Sequence, residues 1–290
     1  MSSVPDTHAS RRPAPPLDAF IETVWTSERA APAAHPREWN LPTGCADLIV
    51  PLTQGALHRF AGRDDIAGCW HAGGVLQGAH DRPTLRDTAT PLAVVGAHFR
   101  PGGLGGFVAA PAHELSDEAW ALDSLWPGFS AQLQDRLAAG GRLAPARLRL
   151  DLLEQGLCRL LRPAAAPDPW VGWAVAQLAA MPNHVGRVQR ASGCSPTRFI
   201  ERYRAACGLA PKRHAALMRF NALVQAAGGV RALALPGAEA ADGLGWAQAA
   251  SDAGYADQPH MNREFRRFAG LTPGDYRRSA TAYPSHVACR

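Results

Sequence analysis

SGCSPTRFIERYRAACGLAP at residues 192–211 and AGYADQPHMNREFRRFAGLTP at residues 253–273 are two copies of one pattern. Phe199 matches Met261, Tyr203 matches Phe265, and Gly208, Leu209 and Pro211 match Gly270, Leu271 and Pro273, all at an offset of 62. The leading glycines, Gly193 and Gly254, are offset by 61, so the second turn carries one extra residue. Each copy has the parts of a helix, a sharp turn and a second helix. Trp246, Ala249, Ala250 and Ala253 are spaced for one helix face. Gly254 follows where a helix ends in a left-handed residue, a conformation glycine adopts without a Cβ penalty. Asp257 can then cap the next helix by accepting a backbone N–H, and Pro259 falls in its first turn, where a missing donor costs least. The first copy repeats this with Gly193 in the turn, Ser195 as cap and Pro196 at the first helical position.

In the second helices, Phe199 and Tyr203, then Met261 and Phe265, lie four apart and face inward. The outward positions are Thr197, Arg198, Ile200, Glu201 and Arg204 in the first copy, and Pro259, His260, Asn262, Arg263, Arg266 and Arg267 in the second. Arginine and asparagine offer paired donors and acceptors that match guanine and adenine edges in the major groove. One such face is equally a solvated basic helix; two, each behind a turn glycine and a cap, point to double-stranded DNA. Charge is divided accordingly. Residues 170–290 hold 15 Lys and Arg against 7 Asp and Glu, whereas residues 1–169 hold 15 against 18. A polyanion partner is therefore expected for the C-terminal half alone.

The rest of the chain reads as a separate domain. Residues 46–52, 73–77 and 92–99 are short apolar runs bounded by Gly, Pro or Asp, which predicts strands of a compact β-barrel or sandwich. From about residue 104 the pattern turns helical, and Leu153, Leu157, Leu160 and Leu161 mark an apolar face within 146–162. That face serves either a core or a second copy of the chain. The expected fold is α+β: a disordered arm at 1–16, a β-rich and helical sensor or dimerisation domain at 17–162, a Pro/Ala-rich linker at 163–169, a helical DNA-binding domain at 170–280, and a tail at 281–290. No apolar run reaches the roughly 18 residues of a membrane span, and no secretory leader is visible, so a cytoplasmic protein is expected.

With these residues in view, 170–280 resembles the DNA-binding domain of AraC/XylS-type transcriptional regulators. The string GYADQPHMNREFRRFAGLTPGDYR (254–277) looks like that family's C-terminal signature, and SPTRFIERYRAACGLAPKRH (195–214) like its first recognition helix and the start of its linker helix. PTGCADLIV (42–50), HFRPGG (98–103) and HELSDEAWALDSLW (113–126) resemble segments of a divergent effector or dimerisation domain found ahead of that module. The resemblance implies two helix-turn-helix units bridged by one long helix, here 211–227 with Leu217, Phe220 and Val224 on its buried side. It places base reading at Thr197, Arg198 and Glu201 in the first unit, and at Pro259, His260, Asn262 and Arg263 in the second. Phosphate contacts are expected from Arg190, Arg202, Arg204, Arg219, Arg266 and Arg267. Two positions depart from the pattern: Glu201 could accept from cytosine N4 but repels phosphate, and the Pro259 side chain cannot hydrogen-bond. The spacer at 228–245 is long for the family, and a surface loop is expected there because loop length costs little entropy.

The implied partners are double-stranded DNA and RNA polymerase, with a small-molecule effector at the N-terminal domain and a homodimer as further expectations, and no membrane. No catalytic residue, cofactor or metal is assigned. The alternative is a DNA-repair or metal-dependent enzyme that uses the helix-turn-helix module for targeting. Cys45, Cys69, Cys158, Cys194, Cys207 and Cys289 form no CxxC pair, so a zinc-bound cysteine cluster is not visible. His58, His71, His80 and His98 lie in the β-rich region, and His71, His80 and Asp81 keep a metal-dependent reading open.

Overall fold

A computed structural model of the chain describes residues 7–52, 56–137, 144–226, 246–279, 281 and 285–289. The described residues up to 121 hold ten strands: β1 (Thr7–Arg11), β2 (Ile21–Arg29), β3 (Arg37–Asn40), β4 (Asp47–Pro51), β5 (Leu57–Phe60), β6 (Cys69–His71), β7 (Val75–Gln77), β8 (Thr84–Asp87), β9 (Leu92–Phe99) and β10 (Ala119–Ala121). Helices α1 (Leu122–Leu125), α2 (Phe129–Leu137) and α3 (Ala146–Leu160) follow. The strands form two sheets, β1-β2-β9-β4-β7-β10 and β11-β3-β8-β5-β6, where β11 is the distant His286–Cys289. β9 lies between β2 and β4, and it is buried along nearly its whole length. That burial explains its unbroken apolar run. One face packs with Leu133, Leu150, Leu153 and Leu157 of the helices in a continuous core; the other looks into the space between the sheets.

Two expectations change here, and one open alternative is settled. The segment expected as a disordered arm contains β1, which pairs antiparallel with β2. Arg11 also donates to Glu154 at 2.8 Å and forms an ion pair with Asp151 at 2.5 Å. Composition misleads because an edge strand is held by its backbone ladder and a few ion pairs, with little apolar surface to bury. The expected tail contains β11, paired with β3 so that Val287 faces Trp39 and is fully buried. The leucines considered for pairing two chains are used internally, since Leu153 and Leu157 are fully buried in their own domain.

The C-terminal half is helical, with α4 (Pro169–Ala180), α5 (Val185–Ala191), α6 (Pro196–Cys207), α7 (Pro211–Ala226), α8 (Trp246–Asp252), α9 (Gln258–Ala269) and α10 (Pro273–Ser279). It has two cores. Val171, Ala174, Leu178, Val188, Phe199, Tyr203 and Cys207 make the first, joined by Ala215 of α7. Leu217, Phe220, Leu223 and Val224 of α7 join Ala249, Met261, Phe265, Phe268 and Tyr276 in the second. α7 is thus the bridge between the two units, with Leu217, Phe220 and Val224 buried as expected. The second core also takes in Leu41, Ala79 and Val287 from the β-rich half. The halves are packed together, not strung on a linker. The long spacer at 228–245 lies outside the described residues.

Candidate nucleic-acid interface

Local chemistry builds the two turns in the same way. Gly193 and Gly254 have φ of 69° and 79°, the left-handed region in which a Cβ is strained. Ser195 then accepts from the Arg198 amide at 3.4 Å, and Asp257 from the His260 amide at 2.6 Å. Each cap satisfies a donor that the first turn of a helix leaves unpaired. Pro196 and Pro259 sit in those first turns, where they remove an N–H that has no helical partner. α6 and α9 are then pinned by Phe199 and Tyr203, and by Met261 and Phe265, all almost fully buried.

What remains outward is polar. Thr197, Arg198 and Glu201 are exposed on α6, and Pro259 and Arg263 on α9. Asn262 is half-buried. His260 is half-buried too: its ring meets Tyr255 edge-on at 5.4 Å, and its Nε2 lies 3.7 Å from Glu264. Ile200, also exposed, gives the α6 face an apolar patch.

The six arginines expected at phosphates fall into three groups. Arg190, Arg204 and Arg266 are exposed. Arg202 and Arg267 are engaged but accessible. Arg202 donates to Asp168 at 2.8 Å and lies 4.3 Å from the Trp170 ring, while Arg267 pairs with Asp81 of the β-rich half at 2.7 Å.

Arg219 is a correction. It is only 8% exposed, it pairs with Glu264 at 2.6 Å, and it donates to Asn183. Asn183 in turn donates to the Gly254 carbonyl at 2.8 Å. One side chain of α7 thereby ties the α4–α5 turn of the first unit to the turn and second helix of the other. In sequence Arg219 resembles any basic helix residue facing a phosphate, because nothing local announces a partner 45 residues away.

Two further buried groups have partners that the local sequence does not show. His214, at the start of α7, is fully enclosed, and burial pushes its pKa down to about 4. It is therefore neutral, and its Nδ1 is hydrogen-bonded with the Tyr203 hydroxyl at 2.8 Å. Asp81, considered as a metal ligand, is clamped instead: Arg213 donates to it at 3.0 and 2.6 Å, and Arg267 at 2.7 Å. Burial works against its charge, but the arginines outweigh it and hold the pKa below the usual carboxylate value. His80 is occupied as well, its Nδ1 donating to the Gly78 carbonyl at 2.9 Å. Among the described residues, no group of three His, Cys, Asp or Glu could hold a metal ion.

A family model described as "Domain of unknown function (DUF6597)" matches residues 9–120. No curated protein matches the chain. Solved structures of ToxT from Vibrio cholerae are similar at 8% sequence identity with a TM-score of 0.46, over 95% of this chain and 99% of that one. An unsaturated fatty acid bound form of ToxT gives 8% and 0.46, over 90% and 97%. At that distance the likeness transfers no function between the two chains. The architecture is α+β, with antiparallel sheets first and helices after. Among the described residues, no helix is long and apolar enough to cross a membrane.

Proposed function

We propose that this chain is a sequence-specific DNA-binding transcriptional regulator, not an enzyme, whose α6 and α9 enter successive major-groove segments about 34 Å apart. The observation that carries this is the duplication in space. Two capped helices each bury an aromatic face in a separate core and leave part of the first turn exposed, Thr197 and Arg198 on α6 and Gln258 and Pro259 on α9. A helix held from behind and open at its N-terminal turn is the geometry by which base edges are read. Base contacts are assigned to Thr197, Arg198 and Glu201, and to His260, Asn262 and Arg263, with Pro259 as a shape contact. Arg190, Arg204 and Arg266 take phosphates directly. Arg202 and Arg267 do so by exchanging a carboxylate for a phosphate, and Arg219 is left out of this set.

In this reading the β-rich half receives a small effector or pairs two chains, RNA polymerase is the protein partner, and the cell compartment is the cytoplasm. Selection of bound duplexes from a random pool tests the proposal. Enrichment of two conserved blocks one helical turn apart supports it. Salt-sensitive binding with no enriched sequence would reduce the protein to a non-specific DNA binder.

A further inference from the structure

Between the two sheets lies a cavity of about 270 Å³. It is near the small end of ligand pockets, which run from roughly 300 to 1,000 Å³. One side is apolar, with Trp25, Ile49, Leu57 and Leu92; another is polar, with Arg59, Gln77 and His98. Arg59 stands on β5 in one sheet and crosses the interior, donating through Nη2 to the Gln77 side chain on β7 of the other at 2.6 Å. Its Nη1 is buried and has no partner among the described residues.

The carboxylates around it are bonded to other groups. Asp47, the carboxylate that acts on Arg59 across the cavity, is already taken by His98 at 2.8 Å. Burial opposes charge on His98, yet Asp47 prevails and keeps it protonated, its pKa well above the ordinary histidine value. That pair is neutral overall. Arg86 is matched by Glu38 at 2.6 Å, and Arg11 by Asp151 and Glu154. His80 and His286 are held neutral by burial. Asp87 accepts from the Ala89 and Thr90 amides in the β8–β9 turn. Among the described residues, then, no carboxylate is ion-paired with the Arg59 guanidinium, and its Nη1 has no hydrogen-bond partner. A guanidinium cannot shed its proton to escape burial, and leaving one unpaired away from water is destabilising. A planar carboxylate answers both needs, because its two oxygens accept parallel N–H bonds from the guanidinium fork.

We propose that this cavity binds a compact organic carboxylate, its charge on Arg59 and its aromatic or branched body against Trp25, Ile49 and Leu92. The volume favours a compact acid over a long chain. This names the ligand class for the effector role given above. The binding itself rests on the cavity alone; only its effect on DNA rests on that reading. The cavity wall includes Ser285 and His286, which follow the last helix of the DNA-binding half. Gln77 leads within four residues to Asp81, which holds α7 and α9. A ligand here would touch both connections.

The test uses the full chain with benzoate, 3-phenylpropionate and 4-methylvalerate, followed by calorimetry and thermal unfolding, with the amide of each acid as control. The expected result is binding of at least one acid, with its amide at least 10-fold weaker. Arg59→Met should lose that preference while melting at or near the parent temperature; Arg59→Lys, which keeps the charge, should keep part of it. Equal binding of acid and amide, unaltered binding to a folded Arg59→Met, or no binding of any of the three acids at millimolar concentration overturns the proposal. Duplex affinity measured with and without the bound acid is a separate arm. An unchanged affinity there removes the coupling and leaves the cavity assignment intact.

Discussion

Replacing Asp81 by asparagine should loosen the clamp between the two halves. The Asp81 carboxylate is 3% exposed and accepts three charged hydrogen bonds, two from Arg213 and one from Arg267. Hydrogen bonds to charged groups contribute about 1.5–3 kcal/mol each. The full sum is not lost, because the two arginine side chains are 38% and 50% exposed and water recovers part of their solvation. Arg213 also keeps Asp117 at 3.2 Å. A loss of about 2–4 kcal/mol in docking is expected.

Hydrogen exchange would read it as faster exchange in residues 78–83 and at the ends of α7 and α9 that face them, with the two helical cores still protected. Freed from Asp81, Arg267 no longer gives up a carboxylate to hold its phosphate, so affinity for specific and random duplexes alike should rise while the salt slope stays at the parent value. Because the folded pKa of Asp81 is depressed, its contribution is complete above the unfolded value of about 3.9. It disappears only as pH falls through the lower folded value, so the difference between parent and variant should be constant from pH 5 to 8. Parent-like exchange together with a parent-like duplex affinity would refute the clamp.

Other consequences follow from the same contacts. Arg263→Ala should cost about 1–3 kcal/mol at one base pair and relax specificity there, whereas Arg266→Ala should weaken specific and random duplexes alike in filter binding; identical behaviour of the two would contradict the division of roles. Arg219→Ala leaves Glu264 without its cation and Asn183 without a donor, so about 3–5 kcal/mol should be lost in denaturant unfolding. Its non-specific salt slope should stay at the parent value if Arg219 touches no phosphate. His214, neutral when buried with a pKa of about 4 against 6.5 when unfolded, contributes a penalty that is nil above pH 6.5. That penalty grows as pH falls and levels off near pH 4 at about 3 kcal/mol. His214→Gln should flatten that part of the stability–pH curve.

How much of this was readable in the chain depended on how local the chemistry was. Ser195 and Asp257 cap helices that begin one residue later, and Gly193 and Gly254 mark turns by their own conformational freedom, so both units could be drawn from the sequence. β9 and β4 announced themselves as apolar runs because both of their faces are covered. β1 and β11 did not, since an edge strand needs only backbone partners, and those of β11 lie in β3, far away in the chain. The same distance hid the two arginine networks. Arg213 meets Asp81 across 132 positions, and Arg219 meets Glu264 across 45. A lone Asp beside a His suggested a metal ligand, and a lone Arg on a helix suggested a phosphate contact. Arg59 drew no attention because nothing around it in sequence shows that Gln77 is its partner and that no carboxylate pairs with it.

The central claim is that α6 and α9 read one face of a duplex together. Methylation interference on a selected site measures it most directly, because it probes guanine N7 in the major groove. Two clusters of interfering guanines centred about 10–10.5 base pairs apart are expected, the first weakened by Arg198→Ala and the second by Arg263→Ala. A single cluster, or two that respond identically to both substitutions, would contradict the account.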